Sequence, residues 1–113
     1  MIIRRHRFHG YGSLKYVYSR GQSVRGISLS LKYVERPQSR PYRVAVVVSK
    51  KVSKSAVVRN RIRRRLYEII RKNESKLLVG NDLVFTVFSD QLADTEAHKL
   101  ETLVLDLLAK TTQ

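Results

Sequence analysis

One segment limits the possible folds more than any other: residues 55–72, SAVVRNRIRRRLYEIIRK. At about 100° per residue, Val58, Ile62, Leu66, Ile69 and Ile70 fall within one arc roughly 120° wide. Asn60, Arg61, Arg64, Arg65, Arg71 and Lys72 fall on the opposite side, and Arg59 and Arg63 run along the margin of the apolar arc. A helix of this kind must cover its apolar stripe with other elements and turn its cations outward. Ser53 or Ser55 can cap its first amides, and Arg71 and Lys72 complement the negative end of its dipole.

The rest of the chain supplies what this helix can pack on. Ile27, Leu29, Leu31 and Tyr33 alternate with Ser28, Ser30 and Lys32, which predicts a strand with one apolar and one polar face. Arg43 to Ser49 holds Val44-Ala45-Val46-Val47-Val48 and reads as a largely buried strand. Asp82 to Ser89 reads as another. Glu35 to Tyr42, with Pro37 and Pro41, is a loop. Ser13 to Arg20 reads as a short helix with Leu14, Val17 and Tyr18 at helical spacing and Gly21 as its stop. Asp94 to Lys110 is a last helix burying Leu100, Leu103, Val104, Leu107 and Leu108. With 113 residues the chain is expected to be a single domain, 1–113, with residues 1–10 flexible. A domain of this size buries roughly 60–70% of its unfolded surface, enough for one core without disulfides or metals. The absence of cysteine excludes a disulfide framework and a thiolate metal site.

Charge narrows the function. Residues 1–72 hold twenty Lys and Arg against Glu35 and Glu68, a net of +18. Residues 73–113 hold Lys76, Lys99 and Lys110 against seven acidic residues, a net of −4. Self-repulsion of this size opposes compaction, so the fold itself does not call for it. A polyphosphate partner does. Mere solvation of a surface would tolerate interspersed acids, and almost none are present. The acid-poor residues 1–72 carry the surface that meets the polyanion in this reading, and the acidic last helix faces away. No apolar run is long enough to span a membrane, and Ile2 and Ile3 are followed at once by Arg4, Arg5 and Arg7, which leaves no secretory apolar core.

The residue types point to RNA. Arginine donates in parallel to phosphate oxygens and stays charged at physiological pH. Asn60 adds an amide that both donates and accepts, suited to a 2′-hydroxyl or a base edge. A membrane-surface or calmodulin-binding helix is also basic and amphipathic, but it offers its apolar face to the partner. A DNA-reading helix-turn-helix needs a second helix just upstream, where this sequence reads as strand and turn. A single helix in a DNA groove stays open as an alternative. Catalysis by side chains is disfavoured. His6, His9 and His98 are the only histidines, two of them in the flexible start, and Asp82, Asp90, Asp94, Glu96, Glu101 and Asp106 are dispersed. These carboxylates read as solubilising and capping groups, and neither catalytic nor metal-binding residues are assigned.

The run Ser49-Lys50-Lys51, then Val57-Val58-Arg59-Asn60-Arg61-Ile62-Arg63-Arg64-Arg65-Leu66, closely resembles the signature of the bacterial ribonuclease P protein component. The resemblance extends over nearly the whole chain, from the basic start and the helix ending at Gly21 to Gly80-Asn81-Asp82 opening the late strand. It implies an α/β (α+β) two-layer sandwich of order α-β-β-β-α-β-α, with a four-stranded sheet and a left-handed βαβ crossover, like domain 2 of ribosomal protein S5. A left-handed crossover departs from the usual rule and is not readable from the residues.

The resemblance further implies an accessory subunit of an endoribonuclease that removes 5′ leaders from precursor tRNA in the cytoplasm. The expected partners are the catalytic RNA and precursor tRNA, with no membrane and no small-molecule substrate. No cofactor is expected on the protein alone; Mg²⁺ belongs to the RNA active site. Carried over by position, Lys50, Lys51, Lys54, Arg59, Asn60, Arg61, Arg63, Arg64 and Arg65 are expected to meet the catalytic RNA. Leu14, Tyr18, Ser28, Ser30 and Lys32 are expected to line a cleft for the leader. Tyr18 matches an aromatic position of the family, whereas Leu14 and Lys32 stand where aromatics can occur, which favours phosphate contact by Lys32 over stacking. Packing of the first helix is an equally simple account of Tyr18 and Leu14. A ribosomal or ribosome-assembly protein of similar charge is the rival reading.

Overall fold

Alternation along three strands decides the layering. In the computed structural model, which describes residues 17–35, 42–74 and 81–111, Leu29, Leu31 and Tyr33 are buried on one face of the strand Leu29–Glu35 (β2). Val44 and Val46 do the same in Arg43–Val47 (β3), and Leu83, Phe85 and Val87 in Asn81–Val87 (β4). Two helices cover this face. Ala56–Lys72 (α2) contributes Ile62, Leu66 and Ile70, all fully buried, and Ala97–Lys110 (α3) contributes Leu100, Val104, Leu107 and Leu108. Each such side chain taken out of water stabilises the fold by about 1.5–3 kcal/mol. A further helix, α1, is described over residues 17–20.

The sheet has the order β1-β2-β4-β3, with β1 spanning Gln22–Arg25. β1 and β4 both run antiparallel to β2, while β3 is parallel to β4. The unit β3-α2-β4 is therefore a βαβ crossover between adjacent strands, and the element order matches α-β-β-β-α-β-α. β3 is an edge strand, and its outward Val46 amide donates to the Tyr67 hydroxyl of α2 at 3.1 Å. That bond ties the helix to the sheet and closes part of an exposed edge.

The opposite face is not uniformly polar. Val17 of α1 is fully buried there against Ala45 and Val84, with Val34 and Val47 around them. Gly21 ends α1 as expected: its amide donates to the Val17 carbonyl at 2.7 Å, and a Cβ there would lie 2.4 Å from that oxygen. The expected span of this helix before residue 17, including Leu14, lies outside the described residues, as do residues 1–10, residues 36–41 of the expected Glu35–Tyr42 loop, and Gly80.

Several expectations shift. β2 begins at Leu29 and not at Ile27, because the Gly26 amide closes onto the Leu29 carbonyl at 2.8 Å and leaves Ile27 94% exposed in the turn. β1 was not readable from its residues, since Val24 is its one apolar side chain. The expected helix from Asp94 starts instead at Ala97, capped by Glu96, whose carboxylate accepts from the His98 amide. Before it, Asp90–Ala93 forms a 3-10 turn that buries Leu92 and Ala93. Tyr42, placed in a loop by sequence, is buried and donates to Glu74 at 2.6 Å.

Asp82 is the clearest departure. Its sequence context reads as that of a solubilising carboxylate, yet it is 1% exposed and accepts two bonds from Arg43, from Nε at 3.0 Å and from Nη2 at 2.7 Å. The two residues are register partners on the parallel strands β3 and β4. The hydrogen bond to Asp82 holds the Arg43 guanidinium above its ordinary pKa. Removing one member of a buried pair strands the other. Asp82→Ala is expected to cost about 3 kcal/mol in urea unfolding, the lower end for a broken buried pair because Arg43 keeps some solvent contact. Replacing both residues with apolar ones, Arg43→Met with Asp82→Val, is expected to recover most of that loss. A change below about 0.5 kcal/mol for Asp82→Ala, the size of an ordinary surface effect, would show that the pair does not hold these strands.

Candidate nucleic-acid interface

The basic surface is built on a short, well-tied turn. Val48 is buried and ends the run of β3 inside the core. The chain then reverses through Ser49, whose carbonyl accepts from the Val52 amide at 3.1 Å. The Ser53 hydroxyl accepts from the Ser55 amide, and the Ser55 hydroxyl caps α2 by accepting from the Val58 amide, both at 3.2 Å. Arg59 reaches back from the first turn of α2 and donates to the Ser53 carbonyl at 2.8 Å. Lys50, Lys51 and Lys54 are left exposed on this turn, beside the N-terminus of a helix with no acidic residue in its first turn. The positive end of the dipole is therefore unopposed where the lysines cluster.

The cations along α2 divide into two kinds. Arg61 and Arg64 are exposed, as is Asn60, whose side-chain oxygen accepts from Arg63. Arg63 itself is half-buried. Arg65 differs from the sequence reading, which put it on the open stripe. It is half-buried, and its guanidinium donates to the Leu92 carbonyl at 2.7 Å and to the Thr95 carbonyl. Those two carbonyls belong to the 3-10 turn and to the approach to α3, so Arg65 fastens that segment onto α2. The same packing brings an acidic residue to the basic surface: Asp94 lies 3.6 Å from Arg61, both well exposed. The expectation that the acidic end of the chain faces wholly away is corrected at this point. A pair this open is worth about 0–1 kcal/mol and leaves Arg61 able to exchange it for a phosphate.

A cleft of about 280 Å³ opens on the other face of the sheet, lined by Tyr18, Ser23, Arg25, Ser30, Lys32, Thr86 and Phe88. Tyr18, Ser30 and Lys32 were expected there. Ser28 was too, but it lies in the turn before β2 and is not in the lining, and its carbonyl accepts from the Phe88 amide at 2.9 Å. Lys32 donates to the Tyr18 carbonyl at 3.1 Å and holds its ammonium 5.4 Å from the Tyr18 ring centre. Arg25 holds its guanidinium 4.8 Å from the Phe88 ring centre. Ser23, Arg25, Thr86 and Phe88 were missed. Each obeys the alternation of its strand, but only the register shows that they share a face: Ser23 is opposite Lys32, and both Arg25 and Thr86 are opposite Ser30.

Among the described residues no three His, Cys, Asp or Glu side chains group as metal ligands, and no helix is long and apolar enough to cross a membrane. A sequence model of the ribonuclease P family matches residues 3–112. The chain belongs to the ribonuclease P family. The ribonuclease P protein component of Pseudanabaena sp. (strain PCC 6903) is 40% identical over 87 residues, covering 77% of this chain and 75% of that protein. That of Thermoanaerobacter sp. (strain X514) is 37% identical over 97 residues, covering 86% and 81%. The ribonuclease P protein of Thermotoga maritima shares the fold, with a TM-score of 0.81 at 21% identity over 94% of this chain and 97% of that one. The Staphylococcus aureus protein does so with a TM-score of 0.79 at 20% identity, over 94% of both chains.

The two kinds of arginine are expected to behave differently on substitution. Arg65→Ala removes a charged donor from two backbone carbonyls and is expected to lower unfolding stability by about 1–3 kcal/mol. Arg61→Ala and Arg64→Ala are expected to stay within about 0.5 kcal/mol of the parent. If each of these two meets one phosphate, the double variant lowers the slope of log affinity against log salt by about 1.5–2 units in RNA-binding titrations. An unchanged slope would move the interface elsewhere.

Proposed function

We propose that this chain is the protein subunit of a ribonuclease P ribonucleoprotein, docking on the catalytic RNA and holding the 5′ leader of precursor tRNA so that the leader is removed at the right bond. The observation that carries this reading is the pair of separate cationic surfaces on opposite sides of one sheet. The first, formed by Lys50, Lys51, Lys54, Arg59, Asn60, Arg61, Arg63 and Arg64, runs along α2 and the hydrogen-bonded turn before it, suited to the backbone of a folded RNA. Arg65 supports it from within. The second is a narrow cleft with hydroxyls, two cations and two aromatic rings, suited to an unpaired strand. A subunit that joins a structured RNA to a single-stranded extension of its substrate needs both.

Mechanism in this reading is positioning and charge. Each lysine or arginine at a phosphate releases condensed counterions and screens repulsion between two RNAs. The leader, once fixed, makes cleavage effectively intramolecular. Mg²⁺ supplies the phosphodiester chemistry and is assigned to the RNA. The side chains of the two surfaces are mainly cations, hydroxyls, an amide and aromatic rings, with Asp94 beside Arg61 on the first, and His98 is exposed on α3, across the sheet from the cleft. In this reading the protein supplies no general base, and the ribonucleoprotein acts in the cytoplasm.

Tyr18 and Lys32 offer the direct test. In the reconstituted enzyme, Tyr18→Ala with Lys32→Ala is expected to weaken precursor tRNA relative to mature tRNA by about fivefold or more, the loss of one stacked base. Affinity for the catalytic RNA is the control that reports the other face. Equal weakening of precursor and mature tRNA would place the leader outside this cleft.

A further inference from the structure

The end of the cleft remote from Tyr18 is built from residues to which the functional reading gives no separate role. Phe88 follows β4 by one residue, and its amide extends the ladder by donating to the Ser28 carbonyl. Alternation turns its side chain to the cleft face, where the ring is 44% exposed while Phe85, on the other face, is fully buried. Arg25 approaches from β1, on the far side of β2, and lays its guanidinium over that ring. Among the described residues no carboxylate pairs with Arg25. Ser23, Ser30 and Thr86 floor the space between this pair and the Tyr18–Lys32 pair.

The cleft thus has the same device at both ends, a cation beside an aromatic ring, with hydroxyls between. We infer that Arg25 and Phe88 form a second station for single-stranded RNA, which stacks a base and neutralises a phosphate of the 5′ leader. The inference rests on the leader reading of the cleft. Every base has a face to stack, and an arginine beside a ring offers its guanidinium plane to a base and its N–H groups to a phosphate. Lys32 is two residues from Ser30 and four from Ser28, which sets the stations roughly 7–14 Å apart along the strand. At about 3.4 Å per stacked nucleotide, the axial spacing along one strand of a duplex, that distance takes a run of roughly two to four nucleotides. The second station therefore makes affinity depend on leader length, and only leaders long enough to reach Phe88 gain from it. A merely structural pair, clipping the β1–β2 hairpin to β4, predicts no such dependence.

The test uses the reconstituted enzyme and precursor tRNAs with leaders of about one and about six nucleotides, shorter and longer than that run. The readout is the ratio of the two affinities. Phe88→Leu keeps apolar bulk without a stacking face and is expected to lower the long-to-short preference about fivefold or more. Phe88→Tyr is expected to restore it. Arg25→Gln, at an exposed side chain, is expected to lower the same preference and to reduce the salt slope for the long leader by about one unit. Should Phe88→Leu lower the melting temperature, Phe88→Tyr and Arg25→Gln decide the matter. An unchanged ratio for Arg25→Gln and for folded Phe88→Leu overturns the inference. If Tyr18→Ala with Lys32→Ala nonetheless weakens precursor tRNA more than mature tRNA, only the second station has failed. If that variant weakens both equally, the leader reading itself falls.

Discussion

Everything in this structure depends on how α2 is seated. Ile62, Leu66 and Ile70 are fully buried against the sheet, and the Tyr67 hydroxyl takes the Val46 amide at the edge of β3. A basic helix of this composition has little reason to persist alone, because its cations repel and its apolar stripe is exposed. Burying that stripe fixes the rotation of the helix, and the rotation decides which arginines face outward. The capping by Ser55 and the reach of Arg59 to Ser53 then set the lysine-bearing turn against the same surface. Electrostatic function follows from hydrophobic packing on the other side of one helix.

The excess of positive charge is managed rather than neutralised. The chain carries 23 Lys and Arg against nine acidic residues. Arg43 is matched to the buried Asp82, and Arg65 is satisfied by backbone carbonyls, so both serve the fold. Arg71 pairs with Glu68 one turn back on α2, near its C-terminal end and away from the lysines. Arg61 and Arg64, together with Lys50, Lys51 and Lys54, stay exposed around the first half of the same helix. The repulsion among them is a standing cost that a polyanion relieves.

Much of this was legible in the sequence, and the failures have physical causes. Helical spacing of five apolar residues located α2 within a residue, because a long amphipathic pattern is a strong signal, and left its cap open between Ser53 and Ser55. Strand alternation located β2, and short apolar runs located β3 and β4. β1 was invisible to pattern because one half-buried valine has no period. Arg65 was misplaced because its partners are carbonyls twenty-seven and thirty residues ahead, and backbone acceptors leave no mark in a sequence. Asp82 looked like any surface acid, since burial of a charge depends on a register partner that only the parallel pairing with β3 supplies. The cleft was half legible: Tyr18, Ser30 and Lys32 were found, while Arg25 and Phe88 needed the strand order to bring them across β2.

The central claim is that the protein enables an RNA catalyst and does not cleave RNA itself. Reconstitution tests it most directly. The purified chain is mixed with a bacterial ribonuclease P RNA and 5′-labelled precursor tRNA at low Mg²⁺, where RNA alone is weakly active, alongside protein-only and RNA-only controls. Release of the leader at the mature 5′ end in the mixture, and in neither control, is the expected result. Cleavage by the protein alone would contradict the account, and so would the absence of stimulation across well-matched RNAs.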